Sequence, residues 1–199
     1  MNYVMLDLET TGVNKSTHEI CDLAFVGLTE KMDIMPGIYF STLIKITRPE
    51  CIDPKSMEIN GLNRESLKDA PTPAQVRRAL MEWKYDIFGD QKLMIVGWNP
   101  QFDCGFLELM LKDMYADLFM YRFVDIHSII QYINLKGSKG MNPAEISMDA
   151  MCETLKITRA SPHRALTCCY EEYKVLARIL GKQVPGELIS NSSPSESSF

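Results

Sequence analysis

The residues of this chain best placed to do chemistry are two carboxylates near its start, Asp7 and Glu9, in the run YVMLDLETTG at positions 3–12. On a β-strand, side chains at i and i+2 share a face. The apolar residues before and between them predict a buried strand over Tyr3–Leu8, so both acids approach a core. Adjacent carboxylates in a core are costly unless a cation joins them, and a hard divalent ion with oxygen ligands removes that cost. A bare D-x-E pair is most often a solvated strand end. The apolar approach, and the Thr10-Thr11-Gly12 that follows with hydroxyls and backbone N–H groups suited to a phosphate or sugar hydroxyl, favour the metal reading.

Further along, Asp103 closes the segment VGWNPQFD, residues 96–103. The chain has three histidines, His18, His127 and His163. A lone helical histidine is most often structural, but His163 follows Pro162 at a predicted helix start. Imidazole titrates near neutral pH and can take a proton from an attacking water. Six cysteines are present, at 21, 51, 104, 152, 168 and 169, with no C-x-x-C pair, which argues against a structural zinc site. They read as reduced, mostly buried thiols. Cys168, on the His163 helix, is expected to pack. Glu171 and Glu172 lie one turn beyond it; a solvated acidic face is the ordinary reading of both, with Glu172 the better placed to reach inward.

These residues need a scaffold. Strands are predicted over Tyr3–Leu8, Ile20–Leu28 and Tyr39–Ile46, the last two separated by a turn at Met35-Pro36-Gly37, giving an antiparallel meander. Asp53-Pro54 opens a short helix to about Asn60, Asn63 resembles an N-cap, and Thr72-Pro73 starts a longer helix carrying Val76, Leu80 and Trp83. Strands follow at Leu93–Val96 and Tyr121–Asp125, with helices after each. Lys136–Pro143 reads as a loop, Ser147 starts a helix to about Leu155, and Pro162 starts the last one, to about Leu180. Three antiparallel strands and then strand–helix units imply an α/β domain with a mixed sheet. The domain is placed at 1–182, and the low-complexity stretch 183–199 is expected to be a disordered tail.

Bulk properties narrow the function. With 199 residues, 46% apolar and 24% charged, the sequence suits one globular domain. No apolar run approaches a bilayer-spanning length and no signal-peptide pattern is present, which implies a cytoplasmic address without membrane partners. The net charge of −5 argues against broad adhesion to duplex nucleic acid. It leaves room for a short strand gripped locally by metals and backbone amides.

The ordered segments resemble the DEDD exonuclease superfamily, in its histidine-containing branch typified by the proofreading epsilon subunit of bacterial DNA polymerase III. MLDLETTG is similar to the first motif, D-x-E-T-T-G. VGWNPQFD is similar to the second, H-N-x-x-F-D, with Asn99, Phe102 and Asp103 matching and Trp98 in place of the usual histidine. HRALTC, residues 163–168, is similar to the third, H-x-A-L-x-D, with Cys168 where the fourth carboxylate is expected. Between them, ECIDPKSMEINGLNRESLKDAPT resembles the family's Pro-led helix and H-G-I stretch, with Asn60 at the histidine position. The likeness runs from about Tyr3 to Leu180.

The resemblance implies a ribonuclease H-like fold, a five-stranded mixed sheet flanked by helices. It implies hydrolysis of 3′-terminal phosphodiesters of single-stranded DNA or RNA to nucleoside 5′-monophosphates, with two divalent ions, Mg2+ or Mn2+. Asp7 would bridge the ions, Glu9 would hold the one that activates water, Asp103 would support the other, and His163 would be the general base. Thr10, Thr11 and Gly12 would contact the terminal sugar and Val13 its base. Asn99 and Trp98 would border the substrate, with Trp98 free to stack on a base and Phe102 more suited to the core. Arg164 would neutralise phosphate or face water. Proofreading would require a polymerase or other replication or repair partner.

Cys168 stands against full activity, because a thiol is a soft donor poorly matched to magnesium. Three accounts stay open: Glu172 or Glu171 supplies the missing oxygen, the fold binds 3′ ends but cuts slowly or not at all, or the cysteine was introduced into an active parent. A small-molecule nucleotide hydrolase on the same fold is a further alternative.

Overall fold

The computed structural model describes residues 2–137, 146–182 and 184. Its strands are β1 (Asn2–Thr10), β2 (Ile20–Leu28), β3 (Ile34–Leu43), β4 (Leu93–Gly97) and β5 (Phe119–Asp125). Its helices are α1 (Pro54–Asn60), α2 (Pro73–Phe88), α3 (Gln101–Leu111), α4 (Met114–Leu118), α5 (Ile126–Leu135), α6 (Met148–Leu155) and α7 (Ala165–Ile179). The five strands form one sheet in the order β3-β2-β1-β4-β5. Pairing is antiparallel from β3 to β1 and parallel from β1 to β5. This is the mixed, helix-flanked sheet of the ribonuclease H-like architecture.

The strand period sorts β1 between two cores. Val4, Leu6 and Leu8 pack on one side with Val76 and Leu80 of α2 and Phe106 and Leu107 of α3. Met5 packs on the other with Ile126, Ile130, Met151, Cys169 and Tyr173 from α5, α6 and α7. Asp7 and Glu9 share the parity of Met5, so they face α7 at the end of β1, where apolar packing gives way to carboxylates. The α2 start follows its sequence: Pro73 opens the helix, and Thr72 and Gln75 form a reciprocal capping box.

Three local expectations are corrected and one helix is new. The turn between β2 and β3 lies at Thr29–Asp33, closed by Thr29 N–H to Asp33 O at 2.8 Å, and Met35-Pro36-Gly37 sits inside β3. Between the pairs Val26↔Tyr39 and Leu28↔Ile34 the ladder is irregular. An edge strand tolerates such a bulge, because Pro36 there forfeits no interior ladder bond and Gly37 can adopt φ +74°. The third strand stops at Leu43, and Lys45 turns its N–H to Pro71 O at 2.9 Å. Met114–Leu118 is a short helix that the sequence pattern did not signal. The last helix starts at Ala165, not Pro162. His163 N–H is drawn to Ile59 O at 3.2 Å, and Arg164 is extended with its Nε on Asp22 Oδ2 at 2.7 Å.

The loop expected at 136–143 and the tail expected at 183–199 lie largely outside the described residues. Among the described residues no helix is long and apolar enough to cross a membrane.

Candidate metal centre

The chemistry-bearing side chains converge beyond the carboxyl ends of the parallel strands β1 and β4, where open α/β sheets place ligands. Asp7 and Glu9 come from β1. Asp103 comes from the first turn of α3, which follows β4 directly. Cys168 and Glu172 come from α7. The strand register puts Asp22 of β2 opposite Glu9. His163 is held from outside the sheet. Its N–H bonds to Ile59 O, and Pro162 lies so close over Gly61 that a Cβ there would sit 2.6 Å from the proline ring. Gly61 also has φ +63°, the left-handed cap of α1, so conformation and space both require glycine.

Half of the site is built of carboxylate oxygens short of positive charge. The Oδ2 of Asp7 is buried and has no hydrogen-bond partner among the described residues. Burial, and then the charges of Glu172, Asp103, Glu9 and Asp22, hold the Asp7 carboxyl well above the usual range. Burial likewise pushes Asp103 up to about 8, against the pull of the backbone N–H groups of Asp103 and Leu8. Glu172 is only 5% exposed, and its Oε2 accepts from Trp98 N–H at 3.0 Å. Burial and the Asp103 charge raise it well above normal. An orphaned buried carboxylate oxygen amid mutually repelling acids fits a hard divalent cation. Asp7 and Asp103 would hold it, with Glu172 alongside.

The other half is of different character. One atom each of Glu9, His163 and Cys168 lie within 4.8 Å of one another. The Cys168 thiol donates to Glu9 Oε1 at 3.9 Å and sits 4.0 Å from His163 Nδ1. Burial and the neighbouring Asp7 and Glu9 charges push that thiol up, so it stays protonated. A neutral sulfur does not fit a hard ion. Glu9 is raised to about 7, by burial first and Asp22 next, while Arg164 and Arg159 pull it down.

The two glutamates of α7 are corrected as a solvated face: both are buried. Glu171 is engaged away from the carboxylate group, with Oε2 on Arg159 Nε at 3.0 Å and Oε1 accepting from Ala160 N–H at 2.6 Å. Arg164 pairs with Asp22, which is 1% exposed, while its own side chain stays 43% exposed. Asp22 also accepts from Ala165 N–H at 3.3 Å, fixing the start of α7.

Around this centre the Thr10–Val13 loop is locked from behind. Thr10 and Thr11 are buried, and their hydroxyls serve the loop: Thr10 Oγ1 donates to Gly12 O at 2.8 Å and Thr11 Oγ1 accepts from Glu19 N–H at 2.9 Å. A Cβ on Gly12 would meet the His18 ring at 2.4 Å, and His18 in turn accepts from Asn14 N–H at 2.9 Å. Val13 is 76% exposed. It borders a cleft of about 580 Å³ lined by Asn14, Lys15, Asn99, Gln101 and Phe102, a size within the usual range for small-ligand sites.

Phe102 is corrected as a core residue: it is 37% exposed at the cleft, with its ring 5.0 Å from Phe106. Trp98 is half-buried with its ring 5.3 Å from His127. Asn99 adopts φ +51° and gives its N–H to Asp125 Oδ1 at 3.0 Å. Asn60, at the position of a family histidine, is buried and ties Leu62 to Thr10 O. Sequence reasoning missed Asp22, Arg159, Asp125 and Lys15. Only Asp22 carried a signal, as the single charge in the strand ICDLAFVGL.

The profile of the exonuclease family RNase_T matches residues 4–176. The chain is 26% identical over 186 residues to the DNA polymerase III subunit epsilon of Escherichia coli, covering 88% of this chain and 68% of that protein. It is 26% identical over 165 residues to a PolC-type DNA polymerase III of Thermotoga petrophila, covering 82% of this chain and 11% of that one. It thus spans about a tenth of the PolC-type relatives. Among solved structures, E. coli exonuclease I in complex with a dT13 oligonucleotide superposes with a TM-score of 0.73 at 12% identity, over 89% of this chain and 41% of that one.

Proposed function

This chain belongs to the RNase_T exonuclease family, and from that premise we propose that it is a divalent-ion-dependent binder of single-stranded 3′ ends whose cleavage is slow or absent. The observation that carries this reading is the division of the centre. Asp7 and Asp103 keep the oxygen chemistry of a metal site, while the position of the fourth carboxylate holds a buried thiol that lies against Glu9 and His163.

A divalent ion bound there would draw a phosphate to the site and lower the pKa of a nearby water. The protein's own groups do the rest. The Thr10–Val13 loop, fixed from behind through Thr11 N–H on Glu19 O, would set Gly12 and Val13 beside the terminal sugar. Val13 and Phe102 flank the cleft as apolar surfaces for the last base, and Lys15 supplies positive charge on its wall. His163 would take or give a proton at the strand end.

A second reading, full 3′→5′ exonuclease activity, is favoured by Glu172, whose buried carboxylate lies in the same electrostatic group as Asp7 and Asp103. Docking on a polymerase or repair partner would suit either reading, as one named relative is a PolC-type DNA polymerase III and another is a subunit of DNA polymerase III.

The test uses 5′-labelled single strands of DNA and of RNA with Mg2+ or Mn2+. The proposal expects metal-dependent binding that prefers a free 3′-hydroxyl over a 3′-phosphate, with at most trace shortening. Rapid release of mononucleotides, abolished by Glu172→Ala, would replace it with the second reading. Absence of strand binding would end both.

A further inference from the structure

The soft half of the centre already contains a cation. Arg159 lies in the stretch between α6 and α7, and its guanidinium is held from three sides. Its Nε contacts Glu171 Oε2 at 3.0 Å, and one terminal nitrogen contacts Asp149 Oδ1 at 2.6 Å. The other terminal nitrogen reaches into the centre, 3.3 Å from His163 Nδ1 and 3.9 Å from Cys168 Sγ. Glu171 is buried and its second oxygen is fixed by Ala160 N–H, so the anchor is rigid. A guanidinium keeps its charge at any working pH and donates in a fixed planar fork. It therefore delivers one permanent positive charge next to two of the three side chains that would otherwise converge on a metal.

We propose that Arg159 stands in for one of the two divalent cations expected of such a centre, so that the chain binds a single ion, on the Asp7–Asp103 side. This rests on the metal-dependent reading above and deepens it. It explains why a carboxylate is dispensable at position 168: an Asp there would serve a cation that the guanidinium has replaced. It also fixes the role of His163. Arginine has no acceptor, so its approach requires an unprotonated Nδ1, and the proton of the neutral ring then sits on Nε2. In that tautomer the Nε2–H of His163 is a donor, suited to gripping an anionic oxygen.

The test counts Mn2+ on the whole chain by electron paramagnetic resonance titration, with and without deoxythymidine 5′-monophosphate. The proposal expects one ion in both conditions, and a second ion in the Cys168→Asp/Arg159→Gln double variant. Two ions on the unmodified chain would overturn it while leaving the strand-binding reading intact. No ion would overturn both. One ion without strand binding would sink the functional reading alone.

A second measurement uses Cd2+, whose bond to a thiolate gives an ultraviolet charge-transfer band. The band is expected in Arg159→Gln and absent from the parent. A parental band that disappears in Cys168→Ser would show that a soft ion displaces the guanidinium, and would overturn the proposal.

Discussion

The Asp7–Asp103–Glu172 side and the Glu9–His163–Cys168 side of one centre solve the same problem differently. On the first, buried acids crowd together and one oxygen of Asp7 has no partner among the described residues, so the acids either keep their protons or share a cation from outside the chain. On the second, a thiol has no charge to balance, and Arg159 supplies a cation from within. The difference teaches that a family motif can lose a ligand without its pocket collapsing, provided that the charge balance is restored from another segment.

The comparison breaks most directly at Asp7. Asp7→Asn should weaken Mn2+ binding by more than about 100-fold, because even indirect supports of a metal ligand are worth about 10–100-fold. In EDTA the same variant should melt higher than the parent, since a buried acid that the unfolded chain would ionise is gone. Calorimetry with and without Mn2+ reads both effects, and unchanged ion affinity would remove Asp7 from the site.

On the other side, Glu171→Gln should cost about 2 kcal/mol in urea denaturation, as a buried charged hydrogen bond to Arg159 becomes a neutral one. A loss no larger than that of an exposed pair such as Arg78–Glu82 would mean that Arg159 is not rigidly anchored.

The pH dependence sharpens the contrast. Glu9 and Asp103 are raised to about 7 and about 8, so between the ordinary carboxylate range and those values the folded chain holds protons that the unfolded chain has released. Stability without metal should therefore fall as pH rises from about 5 to about 8. The loss should amount to about 10 °C or more in Tm, at about 1.4 kcal/mol per pH unit for each group and about 2–4 °C per kcal/mol for a domain of this size. Saturating Mn2+ should flatten or reverse the slope, because the ion requires the deprotonated acids. A metal-free Tm that climbs across this window would contradict the raised values.

The smallest effect belongs to the cleft. Val13→Ser should weaken binding of a 3′-ended strand by about 3-fold, consistent with about 0.8 kcal/mol per lost methylene contact, and leave Tm unchanged. Fluorescence anisotropy with a labelled oligonucleotide measures it.

Much of this was legible in the sequence, for identifiable reasons. Strand parity alone put Asp7 and Glu9 on one face, and Pro54, Thr72 and Ser147 marked helix starts through local capping chemistry. What escaped depended on distant partners. Met35-Pro36-Gly37 has turn composition, but the edge position of β3 absorbs it as a bulge. Pro162 has the look of a helix start, but Gly61, Ile59 and Asp22 pull its segment out of helical geometry. Glu171 and Glu172 occupy adjacent positions, and only the contacts separate them: one closes an ion pair with Arg159 and the other is buried on Trp98 N–H. Arg159 gave no signal, because its meaning lies in where Glu171 and Asp149 hold it.

The central claim is that unpaired carboxylate charge in this fold marks the seat of a divalent ion. A crystal soaked in Mn2+ and read by anomalous scattering tests it. The expected map has one peak within bonding distance of Asp7 Oδ2 and Asp103. A featureless map there, with the two carboxylates turned onto protein donors, would contradict the account.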